Sequence, residues 1–525
     1  MKKLNYLILL FAVVVIAACS GEKAEKTTDY PLFWTWLDYR AGINFDSVCN
    51  IMSETGIDGV MLNAPTPDDY REAIPIAQKY GIEVYAWLWT MNLEHDRETV
   101  LKEHPEWFSV NRKGESLADS IAYVGYYKFM CPALPEVREY IRKKIVAYCE
   151  VEGLNGIAID YHRFVDVVLP TSLWAKYGIV QDVEYPEFDY GYHPEMIRLF
   201  KEKFGYDPRE QEDPSADVKW RQFRCDQITE VANMIAETVH SYNKVMAASP
   251  FPTPAMSRRM VRQDWGKWNL DIVFPMVYRN FYTGDVSFVS DCTNENVRDK
   301  NPNTTLYCGL MASDGPVLFD CMDAALNNGA RGIAIFTVQS LRTPELRQQF
   351  KAYTDSVRAL RASPDYTPAT TPRDQVINDP FQKEGIMKAV KLHIQANISM
   401  ANASVLPELQ DIDPQMLKSM MQRTVSNTPE ELIGYLNAST RWRKDLAPAI
   451  DAIVQQFETD TKEGGIKLGE FKKVNQRDVT TYYQVSEENS QVVFDVAFYM
   501  YGGILSGWSV KPEEESYNQY ISGLK

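Results

Sequence analysis

A chain of 525 residues is too long for one compact hydrophobic core, so two folded units are expected. Its 45% hydrophobic and 24% charged residues are those of a folded globular protein, which excludes a disordered or collagen-like chain. The formal net charge of -16, with no Lys/Arg run after the first three residues, argues against a nucleic-acid partner, because phosphate binding needs basic patches.

The first element is a targeting segment. In MKKLNYLILLFAVVVIAACS, Lys2 and Lys3 precede an apolar run from Leu7 to Ile16 and the small residues Ala17 and Ala18. This reads as a secretory signal over residues 1–18, and Cys19 at the junction resembles a bacterial lipobox, with a lipid expected on its thiol. The apolar run is too short for a transmembrane span. Ser20 follows Cys19 where an Asp would resemble an inner-membrane retention signal, so an outer-membrane-anchored lipoprotein, facing the periplasm or the cell exterior, is expected. Residues 19–29 are a polar tether.

Strand-like and helix-like segments then alternate. Strands are expected at 31–38, 57–63, 82–90, 156–160, 245–249, 271–278, 304–310 and 332–337, with helices between them and insertions after the third and fourth strands. Eight such repeats predict a closed (β/α)8 TIM barrel over 30–360. The runner-up, a doubly wound open sheet binding a nucleotide, would want a Gly-rich turn after the first strand, and DYRAG does not supply one. The Pro- and Thr-rich stretch 361–380 reads as a linker. Residues 381–525 start with helices (385–409, 413–426, 429–462) and end with strands, a smaller C-terminal α+β accessory domain.

Beyond Cys19 there are seven cysteines, an odd number without paired spacing, so buried free thiols are expected rather than a disulfide framework. None of the six histidines stands at metal-ligand spacing from another His or a Cys, and no metal or cofactor is expected.

In a barrel the site lies at the C-terminal ends of the strands. There the sequence offers Trp34, Trp36 and Asp38 from the first, Asn63 from the second, and Trp87, Trp89 and Glu94 from the third. The fourth supplies Asp160, His162 and Arg163, the sixth Tyr278 and Arg279, and the eighth Gln339. On strand four, Ile157 and Ile159 should face the helices, which turns Ala158 and Asp160 inward. An inward charge must be paired or functional, and Arg163 is the nearest candidate partner in the sequence. Trp and Tyr rings interleaved with Asn, Asp and Arg suit sugars, which present apolar C–H faces and polar edges. The competing reading makes some of these rings core filling.

The ordered motifs HPEWF (104–108), CPALPEVREYI (131–141), GLNGIAIDYHRF (153–164), FKEKFGYDP (200–208), WRQFR (220–224), VRQDWGKWNLDIVFPMVY (261–278) and GARGIAIFT (329–337) resemble the glycosyl hydrolase-like 10 family. The resemblance covers roughly residues 30–345. It implies a secreted or lipid-anchored TIM-barrel glycoside hydrolase with Asp160, Arg163 and Tyr278 lining the barrel mouth. The family pattern after strand four is similar to Asp, Tyr, Ile or Phe, then Arg or Tyr, and His162 departs from it.

The expected function is hydrolysis of a polysaccharide or glycan fragment at the bacterial cell envelope. That chemistry needs two carboxyl groups flanking the glycosidic bond. Asp160 is the first, and Asp38, Glu94, Asp166 and Asp314 are the candidates for the second. The rivals are a catalytically inactive carbohydrate-binding lipoprotein of a glycan-uptake system, and a scaffold subunit docking through residues 381–525.

Overall fold

The computed structural model describes residues 30–40, 42–179, 181, 183–367, 379–410, 412, 428–439, 446–477 and 480–524. The signal segment, Cys19, most of the tether, much of the expected linker and the helix expected over 413–426 lie outside the described residues.

Eight parallel strands close into a barrel in chain order: β1 (Phe33–Asp38), β2 (Gly59–Asn63), β3 (Glu83–Trp89), β4 (Gly156–Asp160), β5 (Val245–Ala248), β6 (Ile272–Val273), β7 (Thr305–Met311) and β8 (Gly332–Phe336). Closure comes from β8 pairing back on β1, with Trp34 opposite Ala334. The sequence leads one to expect an eight-residue sixth strand, but only Ile272 and Val273 pair as one. Pro275 has no N–H to donate to the ladder, so β6 breaks, and the chain rejoins β7 through an isolated bridge from Met276 to Gly309.

Side-chain alternation divides the two faces. Ile157 and Ile159, like Val60, Leu62, Ile333 and Ile335, pack outward in the core shared with the helices. Inward, the rings of Trp34, Tyr85, Phe274 and Tyr307 fill the barrel, with Trp34 centred 4.5 Å from Tyr85 and 5.4 Å from Phe274, and Phe274 4.9 Å from Tyr307. They fit because small residues face them: a Cβ on Gly59 would come within 2.4 Å of the Trp34 ring, and one on Gly332 within 2.6 Å of Tyr307. Trp34 and Trp36 are therefore interior packing, a correction to their expected place at the rim. The former is completely buried, and the latter is 1% exposed with its indole N–H donated to Ser249 Oγ at 3.1 Å.

Two insertions rise above the strand ends. The segment between β3 and the Pro135–Cys149 helix folds on itself through bridges joining Asn92 to Phe129 and Phe108 to Met130. The segment after β4 runs alongside the Pro254–Val261 helix, with Phe164 N donating to Val261 O and Val167 N to Met260 O.

The C-terminal unit carries an antiparallel sheet ordered β12-β11-β10-β9: β9 (Lys472–Arg477), β10 (Thr480–Ser486), β11 (Val493–Tyr501) and β12 (Ile504–Pro512). Against it lie the Glu384–Ala403 and Ala447–Lys462 helices and a closing helix, Glu514–Leu524, which the sequence reading did not anticipate. Tyr499, Tyr501 and Ile504 join the hydrophobic core of the barrel rather than that of the sheet. The β11–β12 turn explains how they reach it. Gly502 and Gly503 both have left-handed φ, and a side chain on Gly502 would collide with Ala255 and Glu295. Among the described residues no helix is long and apolar enough to cross a membrane, and all seven described cysteines are free and buried.

Candidate active site at the mouth of the barrel

Asp160 ends β4 on its inward side and is 6% exposed. Its Oδ2 accepts from Trp87 Nε1 at 2.9 Å and its Oδ1 from the backbone N of Tyr161 at 2.6 Å. Both bonds favour the carboxylate, yet burial outweighs them, and Asp160 is pushed up from 3.8 to about 6. The charges of Arg163 and Glu94 act in opposite directions on it, the first lowering and the second raising. Trp87, expected as a sugar platform, is a buried ring whose N–H holds this carboxylate.

Glu94 is the second carboxylate that the fold brings to Asp160. Asn63, at the end of β2, donates its amide to Glu94 Oε2 at 2.8 Å and to Trp87 O at 3.1 Å. A chain of contacts thus runs from Glu94 through Asn63 and Trp87 to Asp160. Burial raises Glu94 above the usual carboxylate range; Asn63, His95 and Lys144 pull it down and Asp38 pushes it up. His95 Nε2 stands 3.5 Å from Glu94 Oε2.

The other carboxylates are engaged elsewhere. Asp38 is 44% exposed and pairs with Arg40 at 2.5 Å. Asp314 accepts from Arg279 Nε at 3.0 Å and from the Asn280 amide, so Arg279, expected to bind substrate, is tied to a carboxylate. Asp166 is 2% exposed and accepts from Arg163 at 2.9 Å, Tyr127 at 3.0 Å and Tyr123 at 2.5 Å. This corrects the expected Asp160–Arg163 pair. The chain turns at Tyr161, whose φ is 46°, and carries Arg163 to Asp166, three residues further on.

His162 is also corrected. It is 1% exposed; Thr90 Oγ1 lies 2.8 Å from its Nδ1 and Ile228 O 2.9 Å from its Nε2. Nε2 must therefore be the protonated nitrogen, and Nδ1 accepts from the Thr90 hydroxyl. Burial lowers its midpoint from 6.5 to about 4, which keeps the ring neutral. It ties β4 to the Val218–Ser241 helix and does not face the mouth.

Around Asp160 the aromatic rings are Tyr278, Phe336, Trp89 and Tyr161. Tyr278 is 8% exposed and packs on Phe281 and Phe336. Trp89, directly opposite Asp160 in the β3–β4 register, is half-buried and lies on Tyr161 with centroids 4.1 Å apart. Gln339 is exposed on the turn Val338–Ser340 after β8. Tyr161, Tyr126 and Tyr177 escaped the sequence reading. The run YVGYYKF at 123–129, tyrosine-rich within an otherwise polar insertion, is the signal that could have found Tyr126.

Comparison with solved structures finds distant likenesses. A GH20 exo-β-N-acetylglucosaminidase from Vibrio harveyi aligns at 10% identity and TM-score 0.36, over 63% of this chain and 56% of that one. A GH36 α-galactosidase from Geobacillus stearothermophilus aligns at 8% identity and TM-score 0.38, over 90% of this chain and 47% of that one. The chain thus spans about half the length of either neighbour. A search of curated proteins finds no match. A family model described as glycosyl hydrolase-like 10 matches residues 47–318, just over half of the sequence and the part that carries Asn63, Glu94, Asp160 and Tyr278. The barrel bearing these carboxylates belongs to the glycosyl hydrolase-like 10 family.

Proposed function

We propose that the protein is a glycoside hydrolase in which Asp160 and Glu94 divide the acid and base work on a glycan. The observation that carries this reading is a pair of carboxyl groups at one barrel mouth, Asp160 buried and Glu94 half-buried. Both are raised by burial, and they are joined through Asn63 and Trp87 with no cation bound to Asp160 among the described residues. A carboxyl group with a midpoint of about 6 still holds its proton in mildly acidic water, which suits a general acid. Asp160 gives that proton to the glycosidic oxygen as the C–O bond breaks. Glu94, which accepts from Asn63 and feels the lowering charges of His95 and Lys144, is the partner that either takes a proton from the attacking water or attacks the sugar itself.

A place at the cell envelope, through a lipid on Cys19, is part of the same proposal and rests on the sequence MKKLNYLILLFAVVVIAACS. Replacing Cys19 with Ala should move the protein from the membrane fraction to a soluble or unprocessed form. Processed protein that stays with the membranes would refute the anchor.

The hydrolytic reading is tested by incubating the full chain, Asp160→Asn and Glu94→Gln with a panel of polysaccharides and measuring released reducing ends. Turnover by the wild type that both variants lose supports it. Glycan binding without release by any of the three would make the protein a carbohydrate binder instead.

A further inference from the structure

We infer that the aromatic wall built from Trp89, Tyr161, Tyr126 and Tyr177 is a sugar subsite adjoining Asp160, and that it takes an uncharged ring. This deepens the glycan reading of the mouth and rests on it.

The wall is continuous with the carboxylate site. Trp89 stands opposite Asp160 in the register, and Tyr161 follows Asp160 and donates its backbone N–H to it. Arg163 lies over the Tyr161 ring at 5.0 Å, while Trp89 lies against that ring, tilted by 34°, with centroids 4.1 Å apart. Both contacts restrain the Tyr161 ring, and Trp89 and Tyr161 are each half-buried. Tyr126, also half-buried, comes within 6.1 Å of Trp89. Its hydroxyl lies close enough to those of Tyr161 and Tyr177 for each to influence its titration, so the insertion after β3 and the insertion after β4 meet in one polar-edged aromatic surface. A ring face beside a cluster of hydroxyl groups matches the apolar face and hydroxyl edge of a pyranose.

Charge sets the class of ring. The mouth carries Asp160, Glu94, Asp38 and Asp314, whereas the described arginines around it, and Lys144, are paired with carboxylates. Arg163 is bound to Asp166, Arg279 to Asp314, Arg40 to Asp38 and Lys144 to Asp96. His95 faces Glu94, and Lys176, which is exposed, lies over the Tyr177 ring at 5.2 Å, at the end of the wall that does not adjoin Asp160 in the sequence. A uronic acid or sulfated sugar beside Asp160 would meet carboxylates and guanidinium groups already paired with carboxylates, so a neutral ring is favoured there.

The test is equilibrium binding by calorimetry with the full chain, which does not depend on turnover. The probes are neutral tetrasaccharides (cello-, xylo-, manno- and chito-series) and an acidic one, tetragalacturonic acid. At least one neutral probe should bind. Trp89→Ala and Tyr126→Ala should each weaken it about tenfold or more, and Trp89→Phe, which keeps a ring, should recover most of the loss at an unchanged melting temperature. The inference falls if no neutral probe binds, if these variants bind as the wild type does, or if the acidic probe binds more tightly than every neutral one. Hydrolysis that survives Trp89→Ala with unchanged KM would overturn the subsite and leave the glycosidase reading intact. Trp89-dependent binding without hydrolysis would do the reverse.

Discussion

Replacing Asp160 with Asn separates a catalytic from a structural carboxylate, and the magnitudes can be worked out. Raising the midpoint from 3.8 to about 6 means that burial costs the charged form about 3 kcal/mol. Because the folded midpoint lies above the unfolded one, this cost is absent below about pH 4, grows as pH rises, and is complete above about 6. Asn cannot ionise, so the variant escapes it. The amide, however, must turn its NH2 toward either the Trp87 N–H or the Tyr161 N–H, which leaves a buried donor unpaired at about 1–3 kcal/mol. The two effects nearly cancel, and the variant should melt within a few degrees of the wild type at neutral pH. Its turnover should fall by about 10²–10⁴ on a glycoside with an alkoxide leaving group, the usual contribution of a general acid. A dinitrophenyl glycoside needs no protonation of its leaving group, so bond cleavage with that substrate should be far less affected. The assay is turnover of both substrates and a melting curve on one preparation. An equal loss on both substrates would refute the acid assignment, and full activity per folded molecule would refute any catalytic role.

Three further outcomes are expected. The His162 midpoint of about 4 lies below its ordinary 6.5, so its contribution to stability is complete above 6.5 and lost as pH falls toward 4; His162→Asn should flatten that part of the stability–pH curve, read by denaturant titration. Glu295, raised by burial from 4.5 to about 7 beneath the Gly502 turn, has the opposite sign: stability declines as pH rises from about 4.5 to 7, and Glu295→Gln should remove that decline and gain up to about 3 kcal/mol above it. Asp166→Asn strands the buried Arg163 guanidinium and should cost about 3–5 kcal/mol, whereas the double change Arg163→Met with Asp166→Leu should recover much of that loss; chemical denaturation of the three proteins decides it.

Sequence alone pointed to the barrel, because alternating strand and helix patterns are local and eight of them suit a closed barrel better than an open sheet. It also determined that Asp160 points inward, since side-chain parity along GIAID leaves no alternative once Ile157 and Ile159 face the helices. Parity does not give height along the barrel axis. Trp34, Trp36, Trp87 and Trp89 share the inward face, yet the register against Gly59, Met61, Ala158 and Asp160 buries the first two as filling, sets the third under a carboxylate and leaves only the last half-buried at the mouth. The partner of Arg163 was equally out of reach, because it depends on the turn at Tyr161 and on Tyr123 and Tyr127 arriving from another insertion. The same holds for the second carboxylate. Asp38, Glu94, Asp166 and Asp314 are equivalent as letters near strand ends, and only the packed structure shows three of them engaged by arginines and Glu94 joined through Asn63 and Trp87 to Asp160. A charge's role is set by which opposite charges and donors reach it in space, and that distance is not a property of the chain until it folds.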